Sequence, residues 1–84
     1  PAQQGDVGAF PNPFRESLTL LPAGITGPAQ WEIFNVQGQL LDQGSWFAQA
    51  NQRTELDATR WPSGTLVVVV RQGGQKWTRW VLKE

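Results

Sequence analysis

Cysteine and histidine are both missing from this 84-residue chain. Without cysteine there is no disulfide, no thiolate nucleophile and no thiolate metal ligand, although a disulfide-free domain suits either redox compartment. Without histidine there is no imidazole base or ligand, so most hydrolase constellations cannot be assembled. Tyrosine is absent too. Net charge is also lacking, since seven Lys plus Arg balance seven Asp plus Glu. The basic residues are scattered and form no stripe, which removes the electrostatic footprint of a nucleic-acid binder. No apolar run is long enough to span a membrane as a helix. Residues 1–8 have neither the basic nor the apolar region of a signal peptide. The chain opens on Pro1 rather than Met, as a piece of a longer protein would. Its length makes one domain with no room for a second core, near the size at which only about 60–65% of the unfolded surface is buried.

What is present is dominated by Thr65-Leu66-Val67-Val68-Val69-Val70, a β-branched run set off by Pro62-Ser63-Gly64 and Gly73-Gly74. Four consecutive valines lose χ1 freedom in a helix and pack well on a pleated surface, so this is a central strand. With apolar residues pointing both ways, both of its faces need cover. Shorter extended stretches precede it. Residues 17–21 form a first strand ended by Pro22-Ala23-Gly24, and residues 30–36 a second that turns at Gln37-Gly38. A third starts at residues 39–41, with Gly44 as a bulge position before Trp46-Phe47-Ala48. Residues 54–57 add a further piece. Gly73-Gly74 makes a two-residue type I′ turn into a last strand over 76–83. Ahead of all of these, residues 1–8 are small and polar and read as a lead-in, with the domain occupying 9–84. Six to seven short strands, turn signals about every 8–12 residues and no helical period predict an all-β, immunoglobulin-like antiparallel β-sandwich.

The last hairpin has a testable register. A two-residue loop sets Val70 opposite Trp77, Val68 opposite Arg79 and Leu66 opposite Val81. The other face pairs Val69 with Thr78, Val67 with Trp80 and Thr65 with Leu82. Only the Val67, Val69, Trp80 side is free of charge, so that side is expected to be buried, although a one-residue slip would reverse the assignment.

Candidate functional residues are few. Phe10-Pro11-Asn12-Pro13-Phe14 is a stiff, non-helical segment because each proline fixes φ and restricts the residue before it. Its two phenylalanines are placed to anchor it, with Asn12 at a turn. The bland alternative is a proline-stiffened entry into the first strand. Five tryptophans suggest either a sugar-stacking platform or core, and core is the commoner use, for three or four of them. Glu16, Glu32, Asp42, Glu55, Asp57 and Glu84 show no spacing that would set two carboxylates about a cleft. Asp57-Ala58-Thr59 has the composition of a local turn or cap.

Taken together, these blocks resemble the C-terminal sorting domains of the type IX secretion system of Bacteroidetes. The likeness opens on Phe10-Pro11-Asn12-Pro13-Phe14, followed by alternating Leu18 and Leu20. It continues through Ile33-Phe34-Asn35-Val36-Gln37-Gly38-Gln39-Leu40, where Asn35 stands at the family's usual Asp. It then takes in Leu56-Asp57, Pro62-Ser63-Gly64 and Leu66-Val67-Val68-Val69, with Leu66 where the family prefers Tyr. It closes on the basic and apolar ending Thr78-Arg79-Trp80-Val81-Leu82-Lys83.

The resemblance implies a non-enzymatic sorting signal without cofactor or small-molecule substrate. Its motif residues are Phe10, Pro11, Asn12, Pro13, Phe14, Asn35, Gly38, Pro62, Gly64, Arg79 and Lys83. The cargo domain lies N-terminal in the same chain and crosses the periplasm before an outer-membrane translocon exports it. A sortase-like peptidase then removes the domain at the cell surface and can attach the cargo to lipopolysaccharide. Lys83, at the end of the last strand, is expected to hold its ammonium in water. The competing reading is an immunoglobulin-like accessory module of a secreted enzyme, binding carbohydrate or packing on its neighbour.

Overall fold

The computed structural model describes residues 5–84. Alternation of side chains along extended backbone builds two antiparallel sheets from these residues. The smaller has the order β1 (Asp6–Phe10), β2 (Ser17–Ala23), β5 (Thr54–Asp57). The larger has the order β4 (Leu40–Ala48), β3 (Gly27–Asn35), β6 (Gly64–Gln72), β7 (Gln75–Lys83). Because successive strands cross between sheets at β2–β3, β4–β5 and β5–β6, the chain closes as a sandwich of the immunoglobulin-like kind. Val7, Leu18 and Leu20 from one sheet meet Ile33, Leu66, Val68, Val70, Trp77 and Val81 from the other. Phe14, Leu56, Ala58 and Trp61 close the core at one end.

The central strand is β6, and its register with β7 is the one expected, rung for rung from Leu66 opposite Val81 to Val70 opposite Trp77. The buried face is the opposite one. Leu66, Val68 and Val70 point inward, while on the expected side Val69 is buried, Val67 is half-buried and Trp80 is 62% exposed. Absence of charge is a poor guide here because β7 is an edge strand. Arg79 points to the inner side, yet its guanidinium leaves the sandwich flank and pairs with Asp6 on the neighbouring edge strand β1. Inward charge on an edge also discourages further strand pairing.

Three local expectations change as well. The lead-in over 1–8 overlaps β1, which begins at Asp6 and sets Val7 in the core opposite Pro22. Asp6 and Gly8 give this stretch a linker-like composition, while Val7 and Ala9 supply its inward positions. Residues 1–4 of that lead-in lie outside the described residues. Gly44 is no bulge. It pairs with Trp31, whose indole lies so close that a Cβ would come within 2.6 Å of the ring, and the register shift falls instead between Ile33 and Phe34. Finally, Gly73-Gly74 is a two-residue turn, but only Gly73 has positive φ, at 58°, which suits type II′ rather than type I′.

Of the tryptophans, Trp61 and Trp77 are buried and Trp31 and Trp46 pack against the core, which leaves Trp80 outside.

Candidate functional site

Strand direction brings the β1–β2 connection, the β3–β4 turn, the β5–β6 loop and the end of β7 to one end of the sandwich. All the sorting-motif candidates except Arg79 are at this end. Gly5 and the Gly73-Gly74 turn lie at the other.

Phe10-Pro11-Asn12-Pro13-Phe14 is fastened to β7 through three hydrogen bonds. Phe14 N donates to Leu82 O at 2.9 Å, and Glu84 N donates back to Phe14 O at 2.9 Å. Asn12 Oδ1 accepts from Leu82 N at 2.9 Å. The segment thus adds a short parallel bridge, Phe14 beside Lys83, along the edge of β7. The Phe14 ring is buried edge-on to Trp61, centroids 6.0 Å apart. Phe10 is half-buried, with the Arg53 guanidinium 5.4 Å above its ring. Pro11 and Pro13, each following a cis peptide bond, are exposed.

Lys83 differs most from expectation, being only 8% exposed. It shares the inner face of β7 with Trp77, Arg79 and Val81. Its Nζ donates to the carbonyls of Ala58 and Trp61, with Thr59 O at 3.4 Å. The physical reason is that the tight turn after β5 leaves carbonyl oxygens facing the core, and buried backbone acceptors need partners. An ammonium supplies three donors while its aliphatic stem covers apolar surface. The same turn is held by Ala58 N donating to Glu16 O at 2.8 Å and by Trp61 Nε1 donating to Asp42 Oδ2 at 2.9 Å. Asp57 caps its start, accepting from Thr59 N at 3.0 Å and Thr59 Oγ1 at 2.7 Å. The backbone bond from Thr59, helped by its hydroxyl, lowers the Asp57 carboxyl below its ordinary value.

Pro62 is exposed on this loop, and Gly64, at φ 118°, leads into β6 opposite Lys83. Asn35 organises the β3–β4 turn. Its Oδ1 accepts from Gln37 N at 3.0 Å and Gln39 N at 2.9 Å, and Gly38 supplies φ 88°. A carboxylate would accept those two bonds equally well. The amide of Asn35 additionally donates to Gln39 Oε1 at 2.7 Å. Trp61 and Asp42 were not among the sorting-motif candidates. An aromatic directly before the Pro-x-Gly block was the available signal for Trp61, whereas nothing near Asp42 indicates its role.

A family model described as a secretion system C-terminal sorting domain matches residues 8–84. The chain belongs to this family.

The sorting domain serves type IX secretion, and such a signal marks a protein for export to the cell surface or the extracellular space. Its fold is similar to part of the crystal structure of dimeric latent PorU from Porphyromonas gingivalis, with TM-score 0.67 and 21% identity over 94% of this chain. The match spans 9% of that protein's length. A comparison with curated proteins returned no match.

Arg79 stands apart from the other sorting-motif candidates. It lies in mid-strand on the flank, joined to Asp6 and donating to Thr78 O at 2.8 Å. Of the two basic sorting-motif candidates, only Lys83 lies at the motif end, and it faces inward.

Proposed function

We propose that the sorting domain is a non-enzymatic folded signal, read at the end where its motif blocks converge. The observation that carries this reading is the linkage of residues 10–14, 57–64 and 82–84 through Phe14, Trp61 and Lys83. Three stretches remote in sequence become one surface only after folding, so an outer-membrane translocon can use that surface to sense a folded signal. Pro11, Asn12, Pro13, Pro62 and the Asn35–Gly38 turn are its accessible parts, while Phe14, Lys83 and Gly64 hold them in place. The cargo precedes the domain in the chain, crosses the periplasm, and is released by a sortase-like peptidase acting ahead of β1. Since β1 starts at the opposite end, that cut leaves the recognition surface intact.

Fusing residues 5–84 behind an unrelated exported carrier tests the reading. In a type IX-competent host the carrier is expected in the medium or on the cell surface. Carrier retained in the periplasm with the domain folded would favour an accessory module instead. The feature that supports such a module is a cleft of about 600 Å³ lined by Pro28, Trp46, Phe47 and Arg71, near the far end of the larger sheet.

A further inference from the structure

The outer face of the larger sheet divides into two unlike halves. Nearest the motif end, Leu40, Phe34, Val67 and Trp80 are consecutive cross-strand neighbours, one from each of β4, β3, β6 and β7. Leu82, beside Thr65, extends this row toward the chain end, and Val36 flanks it in the β3–β4 turn. Trp80 and Val36 are each 62% exposed, Leu40 46% and Leu82 44%. The next rungs away from the motif end expose polar side chains, Glu32 and Thr78 on either side of a buried Val69, then Arg71 and Lys76. Among the described residues, four of the five exposed large apolar side chains, Val36, Leu40, Trp80 and Leu82, thus adjoin the motif end, and Phe47, 60% exposed at the far end of β4, is the exception.

We propose that this row is a docking strip for an uncharged protein surface of aliphatic and aromatic side chains on the export machinery, a proposal that rests on the sorting reading. The occupant is argued from charge and size. The row itself carries no charge, and the basic groups around it are engaged: Arg71 with Glu32 at 2.9 Å, Arg79 with Asp6, and Lys83 with carbonyls. An anionic lipid surface would ask for basic side chains at the rim, and an acidic protein for the same. Taking fractions of ordinary side-chain areas, the exposed apolar surface is on the order of 400 Å², within the range of functional patches on monomers. A stable pair of identical chains needs about 800 Å² from each partner. A strip half that size suits a transient contact, and an export signal must let go. Trp80, a large ring standing on a rigid sheet, is the kind of residue that anchors such contacts.

The test uses the 84-residue chain fused behind an exported carrier, with the double substitution Trp80→Ser and Leu82→Thr. Both residues lie on the outer face and both replacements are small polar side chains. The melting temperature is expected to stay near that of the wild type, while exported carrier falls about tenfold, the loss expected for a removed anchor. Leu40→Glu, at the other end of the row, is expected to lower export in the same way and serves if the double variant does not fold. Phe47→Ser, on the polar half of the same face, is expected to export normally. Wild-type carrier exported with both row variants folded and exported equally well would overturn the proposal alone. Wild-type carrier retained would overturn the sorting reading and the proposal with it. Dimerisation at micromolar concentration abolished by the row variants would put a second copy on the strip and overturn it, and so would row-dependent binding to neutral phospholipid vesicles.

Discussion

The two ends of the sandwich are held together in different ways. At the motif end, a buried aromatic pair and a buried ammonium join residues far apart in the chain, and main-chain bonds bind the first connection to the last strand. At the opposite end the buried Trp77 indole donates to Gly5 O at 3.4 Å, and the other side-chain links are exposed. Gln72 Nε2 donates to Thr26 O at 2.8 Å, Ala50 N to Thr26 Oγ1 at 3.3 Å, and Asn51 N to Pro22 O at 2.7 Å. Between the two ends, Leu20, Ile33 and Val68 are buried in the same core. The heavier fastening where the motifs lie indicates that these residues serve first to preserve the shape of one surface.

That contrast can be broken by substitutions at either end. The largest loss is expected for Phe14→Ala, which removes a buried ring and leaves a cavity against Trp61, at about 3–5 kcal/mol by thermal or urea melting. Lys83→Ala comes next. It orphans carbonyls of the 58–61 turn, and a buried acceptor without a partner costs about 1–3 kcal/mol. Gln72→Ala at the opposite end removes one exposed hydrogen bond and is expected to cost about 0.5 kcal/mol, in line with surface changes generally. A Gln72→Ala variant that melts as low as Lys83→Ala would erase the distinction between the ends.

Acid sharpens the comparison further, with the smallest effect. The folded-state value of Asp57 is depressed relative to its ordinary 3.8, so its contribution is present above that value and is lost as pH falls toward the lower folded value. The carboxyl is fully exposed, and the effect on the melting temperature is therefore slight. Asp57→Asn is expected to flatten that part of the acid limb in melts recorded from about pH 6 to about pH 2. An unaltered acid limb would assign the dependence to other carboxylates.

Much of this architecture was legible in the sequence, because short-range chemistry decides it. The valine run, the proline and glycine breaks and the Gly73-Gly74 loop fix where β6 and β7 lie and how they pair. Phe14 as an anchor and Asp57 as a cap follow from residue type. What could not be read depends on neighbours from the other sheet. Which face of β6 is inside turns on β7 being an edge, where Arg79 can face inward and still reach Asp6. Lys83 at a strand end reads as solvated until the 58–61 turn is brought beneath it. On that reading its replacement with Ala would scarcely alter stability, whereas the structure places it among the costly changes. The apolar row was hidden for a related reason, since alternation on a strand with two apolar faces does not say which face is left uncovered.

The central claim is that the dispersed motif blocks form one cooperative unit closed by Lys83. Amide hydrogen exchange in the native state of Lys83→Met, compared with wild type, tests it most directly. Protection at Phe14, Ala58, Leu82 and Glu84, whose amides bond between the β1–β2 connection, the 58–61 turn and the end of the chain, is expected to fall together, while that of Asn51 at the opposite end stays as it was. Loss confined to Ala58, or loss spread equally to Asn51, would contradict the account.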